Sequence, residues 1–182
     1  MSINLLHRHV LEDDISGFET NPNPNHLTVV RRPAIFSVLA QRGHEAAVAD
    51  ALRNTGDIAP RFVGPSEWLA VSQTMGAGTA AGLLSNIAGA SVVDQSDGHV
   101  LMAISGPSVR RILAKCVAVD LHPDVFAEGH SANMLCCRAA ANVARTGPDM
   151  FEIIVPRSFA GFVLEELTEM GREHAMTRAF AG

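Results

Sequence analysis

The residues of this 182-residue chain whose types and spacing could carry chemistry fall into a few small groups. The sharpest is GAGTAAG at 76–82. Gly76, Gly78 and Ala81 match G-x-G-x-x-A, a turn that brings a pyrophosphate onto a helix N-terminus, and Asp94 ends the next strand, where an acid would take a ribose hydroxyl. Against this, the preceding strand EWLAVS begins Glu-Trp and belongs to a hairpin, and Gln73-Thr74-Met75 separate it from the glycines. Small residues that let a helix start close to a sheet explain the run equally well. His7 and His9 form H-x-H, which on a strand points both imidazoles to one face, but no third metal ligand is spaced nearby. Cys136 and Cys137 are adjacent and have no C-x-x-C partner, so they read as buried structural thiols. Ser105 and Ser108 flank Gly106-Pro107 at a helix start, where Ser and Gly cap, and no G-x-S-x-G elbow exists. The paired acids sit on a helix surface (Glu165-Glu166) or in the N-terminal segment (Asp13-Asp14). The sequence thus assigns no catalytic, cofactor-binding or metal-binding residue.

The elements that would position these groups read as α+β, with mainly antiparallel sheets. Residues 1–30, with their Asn21-Pro22-Asn23-Pro24-Asn25 run, give turn and extended signals without periodicity and read as an extended arm. Residues 31–182 read as a single module, open to division into pseudo-repeated halves at about 31–90 and 91–182. A strand at 34–40 and a helix to about Arg53 precede a hairpin of 58–63 and 67–72 around Gly64-Pro65-Ser66. A helix follows from Thr79 to about Ala88, with Ala80, Leu83, Leu84 and Ile87 on one face. SVVDQ (91–95) and HVLMAIS (99–105) flank a tight turn at Ser96-Asp97-Gly98. Gly106-Pro107 opens a helix whose Val109, Ile112, Leu113 and Cys116 share a face, with Arg110, Arg111 and Lys115 outward. A strand is expected near 131–144 and another at 150–156. The last helix, from Ser158, carries a stripe of Phe159, Phe162, Val163, Leu167 and Met170.

Composition bounds the function. Lys and Arg total 14 against 19 acids, for a net charge of -5, with one Trp and no Tyr, so the basic footprint and stacking aromatics of a nucleic-acid interface are missing. Hydrophobic residues are 47% and charged residues 18%, a globular composition whose apolar excess favours a partner. No apolar stretch reaches the ~18 residues of a membrane span. The N-terminus lacks an apolar core followed by a cleavage site, so no signal peptide is expected. Three Cys cannot make a disulfide framework, which makes a reducing cytoplasm the expected home.

The string VVDQSDGHVLMAISGPSVRRILAKCVAVDLHPDVFAEG (92–129) resembles the gamma subunit family of heterotetrameric sarcosine oxidase. There a D-x-S-x-G-x-hydrophobic strand leads into S-G-P, a helix ending near Cys, and D-L-H-P. GPSEWLAVS (64–72) is similar to the family's G-P-x-E-W-L strand, and VPRSFAGFVLEEL (155–167) to its V-P-R-S-F/Y signature; order and spacing agree across 35–172. The resemblance implies a fold like the folate-binding module of aminomethyltransferases. In those enzymes an acidic residue engages the pterin and the substrate amine. The corresponding stretch here, LCCRAAANVAR (135–145), has no carboxylate, and Asp97 stands where the enzymes carry His, although Asp94 and Ser96 persist. The resemblance therefore implies a non-catalytic structural subunit. Its partners would be the alpha, beta and delta subunits of a complex that oxidatively demethylates sarcosine to glycine. FAD, FMN, NAD and folate are expected in those partners and none in this chain. The alternatives are a stand-alone folate- or nucleotide-binding enzyme on the same module and a gamma-type subunit of a related N-methyl amino acid dehydrogenase.

Overall fold

In the computed structural model, which describes residues 8–17 and 21–181, two sheets lie face to face with helices on their outer sides. A short helix α1 (Glu12–Ile15) and strand β1 (His26–Val29) come first. The next segment holds β2 (Ala34–Ala40), α2 (Glu45–Arg53), β3 (Ala59–Gly64), β4 (Glu67–Ser72), α3 (Ala77–Leu84) and β5 (Ala90–Asp94). Its four strands take the order β3-β4-β2-β5, every neighbouring pair antiparallel. β2 and β3 are therefore parallel with β4 between them, and β4 and β5 are parallel around β2. This is the split βαββαβ arrangement.

The second segment holds β6 (His99–Ser105), α4 (Val109–Leu113), β7 (Ser131–Cys136), β8 (Ala139–Gly147), β9 (Met150–Pro156), α5 (Ala160–Gly171) and β10 (Thr177–Phe180). Its sheet has the order β10-β1-β6-β9-β8-β7. Without β1 and β7, the order β10-β6-β9-β8 repeats that of the first sheet. β1 is threaded between the unit's first and last strands, parallel to β10 and antiparallel to β6.

Period-2 alternation sends successive side chains to different cores, which is why the central strands read as unbroken apolar runs. On β6, Val100, Met102 and Ile104 face α4 and α5, while Leu101 faces the other sheet. On β2, Ala34, Phe36 and Val38 face α2 and α3, while Ile35 joins Leu69, Val71, Leu101 and Ile154 between the sheets. No helix among the described residues is long and apolar enough to cross a membrane.

The expected class holds: α+β with mostly antiparallel strands. Several elements differ from expectation. The single strand near 131–144 is a hairpin, β7 and β8, turned at Cys137 and Arg138 with φ of 49° and 71°. Such a turn usually carries Asn-Gly, so the sequence holds no signal for it. The turn after β5 joins strands that do not pair with each other; it carries the chain from one sheet to the other. α3 ends at Leu84, leaving Leu83 exposed, and α4 starts at Val109, two residues beyond Pro107. Val109, Ile112, Leu113 and Cys116 are buried as expected. On α5 the buried stripe is Ala160, Val163, Leu164, Leu167 and Gly171. Phe159 and Phe162 are 49% and 38% exposed, Phe162 lying under the Arg138 guanidinium.

Residues 8–17 and 21–30 do not form a separate arm. β1 is an interior strand, and Leu11 and Ile15, four apart on α1, are fully buried in the α4–α5 core. The Asn-Pro run is docked, because its amides satisfy the turn before β10. Asn23 Nδ2 donates to Ala175 O at 2.9 Å and Asn25 Nδ2 to His174 O at 3.1 Å, while Asn25 Oδ1 accepts from Ser108 N at 2.9 Å. Leu5, Leu6 and Phe18, also expected on the arm, lie outside the described residues.

Candidate functional site

A cavity of about 300 Å³ opens between the two sheets. β2 and β4 supply Ser37, Glu67 and Leu69, the crossing turn and β6 supply Gln95 and His99, and β7–β9 supply Asn133, Ala141, Asn142 and Ile154. Segment 135–145, where the resemblance looks for an acidic residue, lines it with Ala140, Ala141 and Asn142. The carboxylate among the lining residues is Glu67, whose Oε1 accepts from Ser37 Oγ at 3.2 Å. Asn142 Nδ2 donates to Phe62 O on β3 at 2.8 Å and to Asn133 Oδ1 at 2.7 Å. Asn142 Nδ2 and the Ser37–Glu67 contact thus join strands and sheets, while Asn142 Oδ1 is buried without a hydrogen-bond partner among the described residues.

Beside the cavity a buried pair pins the sheets together. Arg61 on β3 and Glu152 on β9 are each 7% exposed and form an ion pair through Arg61 Nη2, while Gln73 Nε2 donates to the other Glu152 oxygen at 2.8 Å. Phe62 N adds a donation to Ser131 Oγ at 2.6 Å. Nothing in the local sequence marks this network, since an isolated Arg on a strand reads as a surface residue.

The glycine run opens onto a second cleft, of about 520 Å³, lined by Gly76, Ala77, Arg32, Arg157, Asp97 and His99 among others. Gly76 stands at the start of α3 in extended backbone. Close packing explains Ala80, which is buried, but a Cβ at Gly76, Gly78 or Gly82 would meet nothing within 4 Å. Asp94 acts locally. Its Oδ1 accepts from Ser96 N at 2.8 Å, and Ser96 Oγ accepts from Ile35 N at 3.0 Å. The D-x-S motif thereby clamps the crossing turn onto β2.

The remaining candidates are dispersed. His9 is buried, its Nδ1 accepting from Leu11 N at 3.1 Å and its ring set edge-on to Phe180; His7 lies outside the described residues. No group of three or more His, Cys, Asp or Glu among the described residues is arranged to hold a metal ion. Cys116, Cys136 and Cys137 are free and buried, as expected for the latter two. Ser108 N, not its hydroxyl, makes the contact at the start of α4, and Glu165 and Glu166 lie on the outer side of α5.

Comparison with known proteins gives these folds a context. The sequence model of the "Sarcosine oxidase, gamma subunit family" matches residues 30–173. A chain of the heterotetrameric sarcosine oxidase from Corynebacterium sp. U-96 superposes with a TM-score of 0.75 at 22% identity, over 93% of this chain and 96% of that one. Aminomethyltransferase T of the glycine cleavage system from Bartonella henselae superposes with a TM-score of 0.59 at 16% identity, over 85% of this chain and 47% of that one. An aminomethyltransferase from Saccharopolyspora erythraea is 32% identical over 91 residues, half of this chain; the match spans a quarter of that protein's length.

Proposed function

This chain belongs to the sarcosine oxidase gamma subunit family, and we propose that it serves as the non-catalytic assembly subunit of a sarcosine-oxidase-like flavoenzyme. In this reading the alpha, beta and delta subunits hold FAD, FMN, NAD and folate, and oxidatively demethylate sarcosine to glycine in the cytoplasm. One observation carries the non-catalytic part. The cavity between the sheets faces segment 135–145 through Ala140, Ala141 and Asn142, with no carboxylate, and the acid that does line it, Glu67, is engaged by Ser37. A wall that presents alanines and a neutral amide where a carboxylate would have to meet a substrate amine suits a scaffold better than a catalytic site.

The test is purification of the native assembly through a tag on this chain. Large subunits with a flavin spectrum should co-purify, and the complex should turn over sarcosine while the isolated chain stays colourless and inactive. Turnover by the isolated chain would overturn the reading. Turnover of a different N-methyl amino acid by the complex would keep the scaffold role and move the chain to a related dehydrogenase or oxidase.

A stand-alone nucleotide-binding role is favoured by a separate observation: packing does not require Gly76 and Gly78, and α3 opens onto a cleft flanked by Arg32 and Arg157. Calorimetric titration of the isolated chain with NAD decides it. Micromolar binding abolished by Gly78→Val would support this role, and absence of heat would remove it.

A further inference from the structure

We propose that Cys116 and Cys137 are a redox pair that a hydroperoxide converts into a disulfide, with Cys137 the thiol oxidised first. The register places them together. An isolated antiparallel bridge joins Val117 to Cys136, so Cys116 stands opposite Cys137, and Cys137 N donates to Cys116 O at 2.8 Å. Cys116 N bonds Leu113 O instead, so the two share one backbone bond; opposed antiparallel residues have Cα atoms ~4.5–5.5 Å apart, inside the ~4.4–6.8 Å range of disulfides. Cys136 Sγ lies 4.0 Å from Cys137 Sγ, but the two are sequence neighbours, and joining them would close a ring around one peptide bond.

The turn that presents Cys137 is a costly one. Cys137 and Arg138 both adopt left-handed backbone, a conformation that is unfavourable for each non-glycine residue and that persists where the surroundings enforce it. At this turn the Cys137 and Cys116 thiols interact by hydrogen bonding. The turn also sets Arg138 beside the Cys137 thiol, its guanidinium 5.6 Å above the Phe162 ring and 4.0 Å from Glu166. Cys137 and Cys116 are 7% and 8% exposed, whereas Cys136 has no exposed surface.

The protonation states fit the order of events. Hydrogen bonds from Cys116 and Cys136, aided by the Arg138 charge, hold Cys137 well below the usual thiol range. The other two are pushed up by hydrogen bonding to Cys137 and by burial, and Cys116 Sγ donates to Ile112 O at 3.5 Å. In the reaction the Cys137 thiolate attacks one peroxide oxygen, the O–O bond breaks, and the leaving oxygen departs as an alcohol or water. The Cys137 sulfenic acid is then attacked by Cys116 sulfur, which gives up its proton; the S–S bond forms and water leaves. Two thiols are oxidised and one peroxide is reduced.

The test uses the full reduced chain and hydrogen peroxide, with free thiols alkylated afterwards. Trypsin leaves all three cysteines on one peptide, so digestion is made before Asp120 and Asp124, which separates Cys116 from the other two. The expected result is loss of two hydrogens and a cross-link between the two fragments. The link survives Cys136→Ala, vanishes in Cys137→Ala, and in Cys116→Ala is replaced by a dimedone-reactive sulfenic acid on Cys137. A link retained in Cys137→Ala, oxidation confined to the Cys136–Cys137 fragment, or three fully alkylated thiols would each overturn the proposal. If a variant fails to fold by circular dichroism, connectivity in the unsubstituted chain, read by fragmentation of the cross-linked peptide, decides alone.

Discussion

The carbonyl oxygen of Pro24 occupies the space that a side chain on Gly106 would need. A Cβ built on Gly106 would also fall 2.6 Å from Asn25 Oδ1 and 2.7 Å from Asn25 Cα, and the residue has a φ of 125°. The glycine of the S-G-P motif is therefore the seat on which the N-terminal segment docks. Gly106→Ala should cost more than ~3 kcal/mol, combining backbone strain with a clash that would unseat the segment. Gly161→Ala, on α5 with open space around it, should instead gain ~0.5–1 kcal/mol from helix propensity. Urea unfolding of the two variants should move the midpoint in opposite directions.

Arg61 and Glu152, 91 residues apart in sequence, share one buried site between the sheets. Removing one charge strands the other, so Glu152→Leu or Arg61→Met alone should cost ~3–5 kcal/mol. The double replacement Arg61→Met with Glu152→Leu should recover most of that loss. Chemical denaturation of the full cycle checks this; simple additivity of the two losses would show that the pair does not act as a unit.

Removing residues 1–30 takes β1 out of the interior of the six-stranded sheet and Leu11 and Ile15 out of its core. The truncated chain should lose its cooperative melting transition, followed by circular dichroism. As a finer probe, Leu27→Ala should cost ~2–5 kcal/mol. Val10→Ala, at an exposed position on the same segment, should cost less than ~0.5 kcal/mol.

His26 couples the β1–β10 ladder to pH. Its Nδ1 lies 2.7 Å from Thr177 Oγ1, and burial lowers its pKa from the ordinary 6.5. The unfolded chain then takes up a proton before the folded one, so stability is fully present above the ordinary value and falls as pH drops below it. The urea midpoint should decrease from about pH 7.5 to about pH 5.5, and His26→Gln should flatten that decrease. Glu12, Glu45 and Glu173 also have lowered values, but their loss begins below the ordinary carboxylate value of 4.5, outside this window.

On α4, Leu113→Ala should cost ~2–5 kcal/mol and Arg111→Ala less than ~0.5 kcal/mol, read as thermal shifts. Arg110 is not the right control, because it pairs with Asp149 at 2.5 Å and with the Pro148 carbonyl.

Legibility followed the range of each interaction. The strands at 34–40, 67–72 and 150–156 and the buried face Val109–Cys116 were readable because burial imposes a period on the sequence. The turn at Cys137-Arg138 was not, because its backbone is enforced by packing against Cys116 and Phe162 rather than by turn-forming residues. Asn23 and Asn25 read as punctuation because their acceptors lie some 150 residues away at Ala175 and His174. Of the cavity wall only the stretch 135–145 was singled out, by resemblance, and Arg61–Glu152 was not legible, since nothing local marks two distant strand residues as partners.

The threading of β1 between β6 and β10 bears on how the chain is made. His26 meets Thr177 151 residues later, so β1 can pair on both sides only when β10 has left the ribosome. The first βαββαβ unit, 34–94, has all its strands in hand much earlier. High contact order of this kind slows folding and leaves β1 without its β10 partner until elongation ends, with pairing open to it on the β6 side alone. Synthesis should therefore pass through a half-folded nascent chain in which β1 is an open sheet edge, and C-terminal truncation should leave it so for good.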